Sequence, residues 1–257
     1  MIMFRWAGKA EPMNAPTPST DQPVRKRALT PRDAATLIVV DRSSDATAER
    51  EPRILMGHRS GRHVFMPNTF VFPGGRLDAD DATVPVASDL RAPVVERLIR
   101  KASRRKARAL ACTAIRETFE ETGLLVGAPH HGAHDPADLP EDWREIFASG
   151  LAPRLDCLDY VARAVTPPNN VRRFNARFFI VDRRNTSGEL GGSGELVDLQ
   201  WIPIADALAM PNTPDPTSIA LKEVRRLLAE GDPWNLPSGH SVPVYLARYG
   251  RDVLEYD

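Results

Sequence analysis

Hydrophobic positions in this chain fall into short runs separated by polar, proline- and glycine-marked stretches. Ala35-Thr36-Leu37-Ile38-Val39-Val40 is almost continuously apolar and β-branched, the pattern of a strand covered on both faces. Arg53-Ile54-Leu55-Met56-Gly57 predicts a second strand, and Thr69-Phe70-Val71-Phe72 a third that runs into a turn at Pro73-Gly74-Gly75. Pro93 then stands where the first turn of a helix tolerates proline, and Val94, Val95, Leu98, Ile99 and Ala102 recur at helical spacing. A longer helix is predicted over 107–122, ended by Gly123 in a left-handed conformation.

Further on, the pattern predicts a short helix over 142–149, paired strands over 158–165 and 174–181, and a glycine-rich loop over 188–194. A strand over 196–202, helices over 204–209 and 218–229 and a closing strand over 242–246 follow, with Pro243 confining the last to a sheet edge. Strands interleaved with helices predict a mixed sheet with helices on its faces, of α/β or α+β class. Residues 1–30, with Pro12, Pro16, Pro18 and Pro23 among small polar residues, read as a disordered tail. Residues 31–257 then form a single domain.

Composition narrows the function classes. Lys+Arg and Asp+Glu each number 34 among 257 residues, which argues against a nucleic-acid partner bound by neutralising many phosphates. No run reaches the roughly 20 apolar residues that span a bilayer, so no membrane association is expected. The two cysteines, Cys112 and Cys157, are too few for a disulfide scaffold and fit a cytoplasmic protein. His130, His131 and His134 lack the spacing of a zinc site. The oligomeric state is left open.

The segment that carries chemistry is Ala111 to Leu124. On a helix, Glu117, Glu120 and Glu121 stand at i, i+3 and i+4 and share one side, where like charges repel. Hard divalent cations such as Mg²⁺ relieve that repulsion and bring phosphate ligands with them. Arg116 lies beside the stripe, four residues before Glu120, and can pair with a carboxylate. Upstream, the two glycines of Phe72-Pro73-Gly74-Gly75 let backbone approach a metal or phosphate closely.

Phe72-Pro73-Gly74-Gly75 followed by Arg116-Glu117-x-x-Glu120-Glu121-x-Gly123-Leu124 resembles the Nudix box, G-x5-E-x7-R-E-U-x-E-E-x-G-U, with Thr118 at the first aliphatic position. Gly75 and Arg116 stand 41 positions apart where the pattern has 14, so about 27 residues are inserted, placed within 79–108. Counted back from Arg116, the isolated glutamate of the pattern falls on Arg108. The insertion and the run Val71 to Asp78 are similar to the branch containing the peroxisomal coenzyme A diphosphatases. Arg59 and Ser60 match that branch's signature, while Val64 and Asn68 replace its second arginine and its glycine.

The resemblance implies an α/β/α sandwich with a helical insertion and Mg²⁺- or Mn²⁺-dependent hydrolysis of a nucleoside diphosphate linked to another moiety, with coenzyme A or acyl-CoA among the substrates. Glu117, Glu120, Glu121 and the carbonyl around Gly75 match metal ligands, and Glu117 with Arg116 the catalytic pair. Glu195, after the glycine-rich loop, is the candidate general base, with Glu189 a poorer one. Arg59, Arg163, Arg173 and Arg177 are candidate substrate contacts, since guanidinium forks suit phosphate oxygens. Arg172 belongs to the same cluster. Two alternatives stand beside this reading: a non-catalytic nucleotide sensor on the same fold, and an RNA-cap or dinucleotide pyrophosphohydrolase using the basic residues between Arg97 and Arg108.

Overall fold

The computed structural model describes residues 29–42, 51–59, 69–130, 138–168, 170, 172–211, 213–248 and 251–257. The expected tail, apart from residues 29 and 30, lies outside them, as do Ser60, Val64, Asn68, His131 and His134.

Strand β1 (Arg32–Asp41) is the spine of a mixed nine-stranded sheet. Before the first long helix come β2 (Arg53–Arg59), β3 (Phe70–Val71), β4 (Gly74–Arg76), a 3-10 turn (Ala79–Ala82) and α1 (Ala92–Leu98). One edge of β1 runs parallel to β8 (Phe174–Asp182), from Arg32 opposite Phe174 to Val40 opposite Asp182. Its other edge is shared: β2 pairs at Val40 and Asp41, β4 at Ala34, Ala35 and Thr36. The predicted glycine turn is therefore a strand. With no Cβ, Gly74 can lie against β1, where a methyl group would stand 2.6 Å from the Ala35 carbonyl oxygen.

Helix α2 (Arg104–Thr122) begins three residues before the predicted start because the Ser103 hydroxyl caps it, accepting from the Lys106 N–H at 3.2 Å. It ends at Gly123, φ 75°, as the sequence pattern implies. A two-stranded ribbon of β5 (Gly127–Pro129) and β6 (Leu151–Pro153), which the pattern does not announce, brackets α3 (Glu141–Ala148). The chain continues through β7 (Asp159–Val165), antiparallel to β8, then β9 (Leu196–Pro203), α4 (Ile204–Ala209), α5 (Asp215–Glu230), β10 (Pro243–Arg248) and β11 (Arg251–Tyr256). Pro243 does not mark the sheet edge. It opens β10, and β11 pairs outside it along its length.

Alternation along β1 explains the layers. Ala35, Leu37 and Val39 pack with α1, α2 and α3, whereas Ile38 and Val40 pack with α4 and α5. Both faces are covered, which is why β1 reads as nearly unbroken apolar sequence. The architecture is an α+β sandwich, one mixed sheet between two helical layers. No described helix is long and apolar enough to cross a membrane.

Most of the basic residues between Arg97 and Arg108 serve this packing. Arg97 is buried and ion-paired with buried Asp159, while its Nη1 donates to the Tyr160 carbonyl at 2.6 Å. Arg100 donates to the Ser238 and Asp257 carbonyls, and Lys106 pairs with Asp33 at 2.8 Å.

Candidate active site

The last two turns of α2 bring together the residues the spacing singles out. Glu121 is almost wholly buried, and its Oε2 accepts the Gly74 N–H at 2.8 Å. A Cβ on Gly75 would stand 2.5 Å from Glu117 Oε1, so no side chain can be added there without displacing that carboxylate. The pairing of β4 with β1 holds the two glycines against the helix.

Arg116 organises the acidic side. Its Nη1 donates to Glu117 Oε1 at 2.9 Å and to both Glu120 oxygens at 3.3 Å. Its other edge grips Asp81, through Nε to Oδ1 at 2.9 Å and Nη2 to Oδ2 at 3.0 Å. Asp81 is fully buried in a 3-10 turn (Ala79–Ala82) and also accepts from Thr113 Oγ1 at 2.7 Å and Trp143 Nε1 at 3.2 Å.

Sequence reasoning missed Asp81. The box spacing, counted six residues forward from Gly75, reaches it; counted back from Arg116 it reaches Arg108. Arg108 has a structural task, donating to the Val84 carbonyl at 2.7 Å and to Asp89 at 3.2 Å. The chain added before α2 therefore enters after the acidic position.

Burial pushes the Glu117 carboxyl up to about 7, even against Arg116, with Glu120 adding to the rise. Burial also raises the Glu120 carboxyl above its usual range. Burial works against the Arg116 charge as well, but Asp81, Glu117 and Glu120 outweigh it and hold the guanidinium protonated. More negative charge is gathered here than Arg116 neutralises. Among the described residues no three ligating side chains are already arranged about one point, since Glu117 and Glu120 turn toward Arg116 and Glu121 toward Gly74. The donors are nonetheless hard oxygens in charge excess, which suits Mg²⁺ or Mn²⁺.

Glu195 lies exposed at the end of the glycine-rich loop. That loop is fastened to the end of α2: Ser193 N–H donates to the Glu120 carbonyl at 2.7 Å and Gly191 N–H to the Thr122 carbonyl at 2.9 Å. Gly192, φ 111°, leaves no room for a Cβ over the Glu121 backbone. Glu189, in the same loop, is exposed too.

The expected substrate arginines are differently placed. Arg177 is buried and donates to Asp33 Oδ1 at 2.6 Å. Arg163 donates to Asn175 and to Asp257 Oδ2 at 3.2 Å. Both alternate along their strands with Ala176 and Ala164, so they leave the sheet on the side opposite those alanines. Arg173 donates to the Thr166 carbonyl at 3.0 Å and to the Leu29 carbonyl. These three guanidiniums tie strands and chain ends together. Arg172 is exposed, and the Arg59 side chain lies outside the described residues. On the alanine side, a cavity of about 690 Å³ opens beside Gly74, Gly75 and Arg76.

No family model matches the chain. It is 29% identical over 137 residues to a Caenorhabditis elegans protein named "Putative nudix hydrolase 7", covering 50% of this chain and 39% of that relative's length. A NUDIX hydrolase structure from Alicyclobacillus acidocaldarius is 27% identical, covers 82% of this chain and 99% of its own, and superposes with TM-score 0.57. A MutT protein of Bacillus halodurans is 14% identical over 87% of this chain and 97% of its own, with TM-score 0.45. The first two likenesses support membership of the Nudix hydrolase family, and the fold is the Nudix fold.

Proposed function

We propose that this chain, built on the Nudix fold, hydrolyses the diphosphate linkage of a nucleoside diphosphate joined to another moiety, with Mg²⁺ or Mn²⁺ as cofactor. One observation carries the reading: Glu117 and Glu121 close on Gly74 and Gly75 while Arg116 fixes Glu117 and Glu120 from the side. Glu117, Glu120 and Glu121, with the backbone around Gly75, would hold the metal. When bound, it supplies charge neutralisation of the diphosphate and a lowered pKa for water.

The protein's own groups do the rest. Arg116, clamped by Asp81, fixes the Glu117 carboxylate where it lies against Gly75. The N–H of Gly74 holds Glu121 in register with the helix. In the reaction, a water oxygen bonds to one phosphorus, the bridging P–O bond breaks, and the other phosphate leaves with the bridging oxygen. Two carboxylates are candidates to take the water's proton. Glu117 lies part-buried beside Gly75 and Arg116, and Glu195 sits on the loop anchored to Glu120 and Thr122.

Arg59, Ser60 and the run Val71 to Asp78 favour a coenzyme A type of substrate, with Arg59 the candidate contact for its phosphates. Engagement of Arg97, Arg100, Lys106 and Arg108 within the fold counts against an RNA site built on the basic residues between Arg97 and Arg108. The test is to incubate the purified protein with coenzyme A, ADP-ribose and diadenosine polyphosphates, with and without Mg²⁺. Metal-dependent release of two phosphate-bearing products supports the proposal. No metal-dependent cleavage across the panel overturns it.

A further inference from the structure

The cavity beside the glycine pair is built for hydrocarbon. Its floor is one cross-strand row: Arg76 on β4 faces Ala34 on β1, Ala34 faces Ala176 on β8, Ala176 faces Ala164 on β7, and Ala164 faces Tyr245 on β10. All five line the cavity. Four strand spacings make this row about 19 Å long. Three adjacent alanines lower its middle, and Phe174 and Phe178, two positions to either side of Ala176 on β8, stand along it. Both phenylalanines lie on the same sheet face as the alanine.

Charge is confined to the ends. Among the described lining residues only Arg76 and Asp215 are charged, and each has a partner: Arg76 donates to Asp78 at 2.5 Å, and Tyr245 Oη donates to Asp215 at 3.1 Å. A cavity of about 690 Å³ is in the range that takes a small molecule, and an apolar lining with a few polar groups is usual for one. Of the uncharged polar side chains in the lining, Thr166 accepts from the Phe174 N–H and Thr213 donates to the Ala207 and Met210 carbonyls, which leaves Thr36, Asn170 and Thr217 for the several hydroxyls of a sugar. Each hydroxyl buried without a partner would weaken binding by roughly tenfold or more. A hydrocarbon chain meets no such penalty.

We infer that the cavity binds a hydrocarbon chain carried by the diphosphate substrate, extended from the Gly74–Gly75 end toward Tyr245. The inference rests on the proposed pyrophosphohydrolase activity and adds the substrate class. The chain is an alkyl group esterified directly to the diphosphate, because a spacer between the two would itself fill the row. The bond broken is the phosphoric anhydride, by water, and the chain leaves unaltered on its phosphate.

The test uses the methyl, butyl and octyl P2-esters of ADP, coenzyme A, octanoyl-coenzyme A and ADP-ribose. Both kcat/KM and binding are measured, the latter by titration calorimetry. If the chain sits on the alanine floor, affinity rises by about fourfold per methylene until the cavity is full, so the octyl ester exceeds the butyl ester by at least about fiftyfold. A gain across the ADP esters supports the inference, and one confined to octanoyl-coenzyme A overturns it, because the acyl group then lies beyond the row. The Ala176→Leu protein, which fills the middle of the row, should lose at least about tenfold in the octyl-to-methyl ratio. Ala164→Leu is the second variant should Ala176→Leu fail to fold.

Binding and turnover that are flat with chain length, or ADP-ribose as the best substrate, overturn the inference while leaving the hydrolase reading intact. So does a flat series in which replacing adenine by uracil changes binding, because the cavity then takes the base. If none of these compounds is cleaved, the hydrolase reading fails, and the binding series still decides what the cavity holds.

Discussion

Arg116 and Asp81 lie 35 residues apart in sequence and meet through two parallel hydrogen bonds of 2.9 and 3.0 Å, both side chains buried. This fork leaves Nη1 of Arg116 to hold Glu117 and Glu120. The pair also joins elements within one helical layer, since Asp81 accepts from Trp143 on α3 and Thr113 on α2. Removing Asp81 leaves the buried Nε of Arg116 and indole N–H of Trp143 without an acceptor, each costing about 1–3 kcal/mol, while Arg116 keeps Glu117 and Glu120. Asp81→Ala is therefore expected to lower unfolding stability by about 3–5 kcal/mol, read from the midpoint of urea denaturation. A midpoint unchanged from the parent would remove the pair from its organising role.

Gly75 has no room for a side chain against Glu117, and the carboxylate must shift if one is added. Displacements of about 1 Å at a reacting centre can cost on the order of 10²-fold. Gly75→Ala should lose about that factor in kcat while remaining folded by circular dichroism. Full activity in a folded variant would separate Gly75 from the site.

The raised Glu117 carboxyl gives a pH dependence with a definite sign. Its pKa moves from the ordinary 4.5 to about 7 in the metal-free fold. Between those values the folded chain binds more protons than the unfolded one, so this group's contribution favours folding below about 4.5 and is lost as pH rises through 7. A cation needs the carboxylate, so binding below pH 7 must displace the proton. Mn²⁺ affinity measured by calorimetry should rise by about tenfold per pH unit up to about 7 and then level. Affinity independent of pH from 5.5 to 8 would contradict this.

Glu195 is carried by a loop whose backbone is bonded to Glu120 and Thr122. As a general base, its replacement in Glu195→Gln should lower kcat by roughly 10²-fold or more and flatten the acid limb of the pH profile. An unchanged profile assigns the proton to another group, Glu117 first.

Much of this was legible in sequence because it is periodic or local. β1 is covered on both faces and reads as an unbroken apolar run; α2 carries its glutamates at helical spacing and stops at Gly123. What escaped depends on distant partners. Asp81 reads as a surface acid, since Thr113, Arg116 and Trp143 reach it only after folding. An arginine in sequence does not reveal whether its fork will meet phosphate or carboxylate. Arg163 and Arg177 find Asp257 and Asp33, at opposite ends of the chain. Strand β11 went unread because its short, mixed sequence shows no sustained alternation, and its hydrogen bonds to β10 supply what the pattern lacks.

The central claim is that the acidic side of α2 holds a cation against a diphosphate beside Gly74 and Gly75. Its most direct test compares the parent with Glu121→Gln, which keeps the shape of the side chain and an acceptor for the Gly74 N–H. Hydrolysis of a cleaved diphosphate is followed with Mg²⁺ in ¹⁸O-labelled water. The account predicts one ¹⁸O in a single phosphate product and a rate loss on the order of 10²–10³-fold in the variant. Equal rates for parent and variant would contradict it.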